Sequence, residues 1–170
     1  MTEVEIRPAR QADLALLVST FGEPDFFTDR LARQLAGLGV LLTAWSAGEP
    51  LGDVYVWLEP ADEPEVREYL PGVPLLNHVE VEAGHRNRGI GSELVRAAED
   101  LLVARGHEQV ALAVRTDNLD ALRLYERLGY RMWSHGSIVC MYVVRLPDGS
   151  RKLCPETCNL LVKQLRGSRP

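Results

Sequence analysis

Residues 75–92 read LLNHVEVEAGHRNRGIGS, and what this stretch forms decides the fold. Leu75 leads into Val79 and Val81, which alternate with the period of a β-strand. A basic, glycine-punctuated loop follows, Gly84-His85-Arg86-Asn87-Arg88-Gly89-Ile90-Gly91. Beyond it Leu94, Val95, Ala98, Leu101 and Leu102 recur at helical spacing, and Gly106 is a natural stop. The order is strand, glycine loop, helix N-terminus.

That order builds an anion site. The first turn of a helix carries unpaired N–H groups and a partial positive charge, and Gly89 and Gly91 admit a ligand close to the backbone without a Cβ in the way. Arg86 and Arg88 add full charges, and a pyrophosphate suits such a cradle. The stretch lacks the Gly-Lys-Ser/Thr ending of a P-loop, and it offers only two of the three glycines of a dinucleotide fingerprint.

A second segment lies one helix and one strand further on, Asn118-Leu-Asp-Ala121-Leu-Arg-Leu-Tyr125-Glu-Arg-Leu-Gly129-Tyr130. Arg86-x-x-Gly89-x-Gly91 resembles the Arg/Gln-x-x-Gly-x-Gly/Ala signature of the GNAT family of N-acetyltransferases. The second segment resembles that family's Asn-x-x-Ala-x-x-x-Tyr-x-x-x-Gly-Phe/Tyr pattern. The likeness is strong over residues 75–133 and extends weakly to the N-terminus through Ile6-Arg7-Pro8-Ala9 and Asp13-Leu14.

The resemblance implies an α/β fold of the GNAT type, a mixed, splayed sheet with helices on both faces, as one domain over residues 1–170. It implies acetyl-CoA as cosubstrate, its pyrophosphate on Arg86, Asn87, Arg88, Gly89, Ile90, Gly91 and Ser92. The pantetheine arm would lie along the strand backbone at Val79, Val81 and Ala83, with Asn118 and Tyr125 completing the site. Tyr125 would protonate or hydrogen-bond the departing thiolate. Seven residues separate it from Asn118, two helical turns, so both share nearly one face.

An amine of pKa near ~10 is mostly protonated at neutral pH, so a base or a water chain must release it. His78 and Glu80 are the ionisable candidates on the signature strand, and alternation sets them opposite Val79 and Val81. A bulge would disturb that placement. Nothing in the sequence fixes the acceptor. A small-molecule amine is the first expectation. A lysine or N-terminal protein acetyltransferase and a non-catalytic CoA-binding module are the alternatives, and Tyr125 with Asn118 argues against the last.

Bulk properties agree. The 170 residues suit one domain, with 46% hydrophobic and 25% charged residues. A net charge of −5 gives no basic field for nucleic acid or an anionic membrane. No apolar run approaches the ~20 residues of a membrane span, and a cytoplasmic enzyme is the default expectation. Cys140, Cys154 and Cys158 are an odd number and read as free thiols. No zinc-type ligand spacing accompanies them, so no metal is expected. Homodimerisation is left open.

Elsewhere the periodicities predict a strand at Val4 and Ile6 and helices over Ala12–Thr20 and Pro24–Leu38, which in the family flank the acceptor. They also predict a hairpin of Val40–Ser46 with Leu51–Leu58. A proline- and acid-rich stretch, Glu59–Gly72, holds one helical turn at Glu63–Tyr69. Its Glu59, Asp62, Glu63, Glu65 and Glu68 either border the acceptor or form a solvated face. Strands at Gln109–Val114 and Tyr130–Trp133 flank a helix from the N-cap Asn118 to Leu128. A hairpin of Ile138–Leu146 with Arg151–Cys154 follows; Asn159–Leu165 has a period compatible with helix or strand, and the resemblance implies that it is the closing strand of the family's sheet.

Overall fold

The computed structural model describes residues 3–165; the ends of the 1–170 reading lie outside the described residues. In chain order it contains β1 (Glu5–Pro8), α1 (Leu14–Phe21), α2 (Pro24–Leu35), β2 (Gly39–Ser46), β3 (Glu49–Trp57), α3 (Pro64–Tyr69), β4 (Leu75–Val81), α4 (Ile90–Ala104), β5 (Gln109–Arg115), α5 (Leu119–Arg127), β6 (Arg131–Met132), β7 (Ile138–Arg145) and β8 (Arg151–Gln164). The strands form one sheet in the order β1-β2-β3-β4-β5-β8-β6, and β7 pairs with β8.

All pairings are antiparallel except β4 with β5. That parallel contact is short. Only Leu75↔Ala111 and Leu76↔Leu112 are in register, after which the two strands part. The sheet is thus splayed in its middle.

Each strand's alternation sorts its side chains to two faces. Val54, Val56, Leu76, Val110, Leu112, Val114 and Leu161 pack with Leu94, Val95, Ala98 and Leu102 of α4 and Tyr125 of α5. On the other face Leu41, Trp45, Tyr55 and Trp57 pack on Leu17 of α1 and Phe27 and Leu31 of α2. A third cluster, Ala61, Val66, Ala111, Ile138, Cys158 and Leu160, continues that face toward β7.

Two glycines in particular serve close approach. A Cβ at Gly52 would lie 2.5 Å from the Glu80 carbonyl oxygen, so only glycine lets β3 run this near β4. A Cβ at Gly39 would meet the Tyr55 hydroxyl at 2.1 Å.

The predicted elements appear with shifted ends. The first helix begins with a 3-10 turn, Gln11–Asp13, where the Asp13 carboxylate accepts from the Arg10 N–H at 2.7 Å and pairs with Arg7 at 2.8 Å. Helix α2 stops at Leu35, short of the expected Leu38, because Gly37 turns left-handed at φ 79°. Asn118 caps α5, its side chain accepting from the Ala121 N–H at 3.2 Å.

The C-terminal reading needs correcting. Arg151–Cys154 and Asn159–Leu165 are not separate strands but parts of one 14-residue strand, β8. Pro155 reads as a break in the sequence. Its part of β8 pairs with β7 alone, an edge position where a strand tolerates proline. Arg145 and Arg151, at the end of this hairpin, both pair with Asp25 of α2, folding it over the α2 face.

Candidate active site

The site begins where β4 breaks its alternation. Asp53 pairs with Glu80 and Tyr55 with Asn77, so Val54 faces two residues, His78 and Val79, across a bulge. His78 takes φ 59°, a left-handed backbone rare outside glycine. Asn77 and His78 consequently both point to the α2 face. Val79 and Val81 pack toward the α4–α5 core. The expected placement of His78 and Glu80 opposite the two valines therefore holds, with the bulge displacing Asn77 instead.

His78 is surrounded by carboxylates. Its Nδ1 donates to Asp53 Oδ1 at 2.9 Å, and Asp53 is fully buried. Its Nε2 lies 2.9 Å from Glu23 Oε2 and 3.1 Å from Glu80 Oε2. A single Nε2 proton serves two carboxylates, and Glu80 Oε2 is buried without a hydrogen bond of its own. Phe26 stacks on the imidazole with 3.9 Å between ring centroids.

Burial alone would lower the His78 pKa, but the bonds to Asp53 and Glu23 and the adjacent Glu80 carboxylate outweigh it and push it up to about 11. Burial raises Asp53 to about 6 against the opposing pull of His78. The Glu23 carboxyl is held below its ordinary range by its bond to His78. These partners favour the protonated form of His78, in which neither ring nitrogen keeps a lone pair.

This network makes a pH prediction. The folded state binds the His78 proton more tightly than the unfolded chain, so its stabilisation is complete below about pH 6.5 and is lost as pH climbs toward 11. Asp53 acts in the same direction at lower pH, opposing folding progressively between pH 3.8 and about 6. The urea midpoint should fall between pH 7 and pH 10, and His78→Gln should flatten that fall.

A cavity of about 300 Å³ opens beside the cluster on the α2 face. Arg30, Asn77 and His78 line one side; Asp62, Glu63 and Glu156 supply acid from the other, with Cys140 and Cys158 between. Of the acidic run noted in the sequence, Asp62 and Glu63 thus reach the cavity, whereas Glu59 pairs with Arg33 at 2.5 Å. Arg30 is fixed by Asn77 at 3.0 Å and lies over the rings of Phe26, Tyr55 and Trp57. Burial pushes the Cys140 thiol up, with Cys158 and Glu63 adding to the shift. All three thiols are unpaired. Cys154 and Cys158, four residues apart on one extended strand, are separated by roughly 13 Å and cannot share an ion.

On the opposite face lies the glycine loop. Asn87 at φ 65° and Gly89 at φ 80° are left-handed, and Gly89 is the N-cap of α4. The first intrahelical bond of α4 runs from the Glu93 N–H to the Gly89 carbonyl at 3.0 Å, which leaves the N–H groups of Ile90, Gly91 and Ser92 without helical acceptors. The space a Cβ at Gly89 would fill is open, and one at Gly91 would meet only Val81 Cγ2 at 3.6 Å.

Arg86 donates from Nε to the Val81 carbonyl at 3.2 Å. Arg88 is exposed and makes no ion pair among the described residues. The Ile90 side chain enters the core, so only its backbone faces the loop. Ala83 is not on the strand as expected. Strand β4 ends at Val81, and Ala83 opens a 3-10 turn to His85, capped by Glu82. The loop thus carries free N–H groups, an open surface and two arginines.

Tyr125 sits on this same face, 8% exposed and edge-on to Tyr130. Burial pushes its hydroxyl up to about 12, which keeps it protonated. Tyr130 donates instead to Glu99 at 2.8 Å.

Sequence reasoning did not find Glu23 or Asp53. Glu23 lies between two helices and reads as a turn residue. Asp53 is a lone acid inside the apolar alternation of β3, a type almost never buried unless paired, and that is the one signal it carried.

Two loops, two faces and a splayed centre define a known class. Residues 9–130 match the acetyltransferase (GNAT) family model, and this chain belongs to that family. It is 36% identical to the mycothiol acetyltransferase of Clavibacter sepedonicus over 103 residues, which cover 61% of this chain and 31% of that protein. It is 31% identical to N-alpha-acetyltransferase 30 of Schizosaccharomyces pombe over 67 residues, 35% of this chain and 45% of that one. The chain spans less than a third of the length of the mycothiol acetyltransferases it matches.

Solved structures share the fold. The ribosomal-protein-S18-alanine N-acetyltransferase of Escherichia coli superposes with a TM-score of 0.68 at 16% identity, covering 98% of this chain and 97% of that one. A GNAT acetyltransferase of Elizabethkingia anophelis, solved with acetyl-CoA bound, gives 0.64 at 15% identity over 95% and 98%. Among the described residues no helix is long and apolar enough to cross a membrane.

Proposed function

We propose that residues 1–170 act as one acetyl-CoA-dependent N-acetyltransferase domain whose acceptor is a small cationic amine. The observation that carries this is the His78 cluster, three carboxylates around one imidazole at the splay of β4 and β5, whose His78 lines a cavity of about 300 Å³. That volume is at the lower end for small-molecule sites. The name of the mycothiol acetyltransferase relatives, a small-molecule activity, supports the same size class.

Acetyl-CoA lies on the α4–α5 face, its pyrophosphate on residues 86–92 and its pantetheine along Val79 and Val81. The amine enters from the α2 face as an ammonium drawn by Asp62, Glu63 and Glu156. Glu80, whose Oε2 lacks a hydrogen bond, takes the ammonium proton. The freed nitrogen attacks the thioester carbonyl and the C–N bond forms; as the C–S bond breaks, the sulfur leaves as a thiolate and the second nitrogen proton passes through solvent to it, giving the amide and free CoA thiol. Tyr125 donates a hydrogen bond to the departing sulfur. His78 remains protonated and orients Glu80 through charge.

Replacing Gly89 with valine puts a branched side chain at φ 80° and into the phosphate cradle. Acetyl-CoA affinity should fall at least tenfold by calorimetry, with the circular dichroism spectrum retained. Unchanged affinity would show that the cofactor binds elsewhere.

The acceptor class is tested by thiol release from acetyl-CoA over a panel of polyamines, amino sugars, amino acids and short peptides. Fastest turnover with compact cationic amines is expected. Preference for peptides would favour a protein acetyltransferase, against which stands the β7–β8 hairpin tied to Asp25 beside the cavity.

A further inference from the structure

We infer that Glu23, His78 and Glu80 also form a binding site for a divalent transition cation of the zinc class. One nitrogen and two carboxylate oxygens from two separate parts of the chain lie within 4.8 Å of one another, the one such group of three among the described residues. The Nε2–Oε2 separations of 2.9 and 3.1 Å match cis edges of an octahedron around an ion bonded at roughly 2.0–2.2 Å.

Two further observations set this group apart from an ordinary acidic cluster. Asp53 is fully buried and accepts from His78 Nδ1, which aims Nε2 at the two glutamates; metal-bound histidines are held in this way by an outer carboxylate. Asp53 Oδ2 and Glu80 Oε2 are both buried and without hydrogen-bond partners. Charge points the same way. Three carboxylates around one imidazolium leave two negative charges, and the ion pairs these three acids make are with His78 alone among the described residues. A dication that displaces the Nε2 proton to water meets three carboxylates, which leaves one net negative charge.

Imidazole with carboxylate suits Zn²⁺, Ni²⁺ or Co²⁺ better than Mg²⁺ or Ca²⁺, which prefer oxygen alone. The ion would occupy the place through which the amine must pass, so it would inhibit acetyl transfer. Binding itself stands on the geometry; the inhibition rests on the proposed role of Glu80.

Calorimetric titration of the full chain with Zn²⁺ should show one equivalent bound. Glu23→Gln, at an exposed loop, should weaken it at least tenfold, and Asp53→Asn by roughly ten- to a hundred-fold through loss of the outer partner. Co²⁺ should give a nitrogen–oxygen d–d spectrum without a thiolate charge-transfer band. No binding up to millimolar Zn²⁺, affinity unchanged in Glu23→Gln, or a thiolate band from the cysteines would each overturn the site. Binding as stated without inhibition would leave the site standing and remove Glu80 from the reaction.

Discussion

Tyr125→Phe is expected to lower turnover by roughly a hundred- to ten-thousand-fold while acetyl-CoA affinity stays nearly constant. The substitution removes one hydroxyl and little volume, so the edge-on packing against Tyr130 survives. The residue is 8% exposed and its hydroxyl is protonated through neutral pH, as its role as donor to the leaving sulfur requires. Turnover and affinity falling together would show a packing role, and full activity would remove Tyr125 from the chemistry.

Glu80→Gln should cost a similar factor, with a distinctive pH signature. Without its carboxylate the protein depends on amine already deprotonated in solution, which is scarce well below the amine's pKa of ~10. The deficit should be greatest at low pH and shrink as pH rises. A deficit that does not vary with pH would point to a structural loss through the His78 cluster. An unchanged profile would point to a water relay.

Much of this architecture was legible because its signals are local. The alternation of Val79 and Val81, the left-handed Gly89 ahead of α4 and the Asn118 cap ahead of α5 each follow from a few neighbouring residues. Two turns of α5 separate Asn118 from Tyr125, so their shared face was also readable. The acceptor side was not. Asp53 comes from β3, Glu23 from the α1–α2 turn and His78 from a bulge; the β3–β4 pairing brings Asp53, and the turn ahead of α2 brings Glu23, each to 2.9 Å from the imidazole.

The bulge also explains why alternation was a fragile guide. It spared His78 and Glu80 and displaced Asn77, an outcome visible only in the register of β4 against β3. Strand β8 failed in the opposite way. Pro155 is a break signal in sequence, yet its segment lies at an edge where only β7 pairs with it.

The most direct test of the account is stoichiometric. With the best amine from the panel, free CoA thiol should appear only when acceptor is present. Mass spectrometry should then find one acetyl group on the amine nitrogen for each thiol released. Thiol release at the same rate without acceptor, or tight acetyl-CoA binding with no release for any amine, would contradict it.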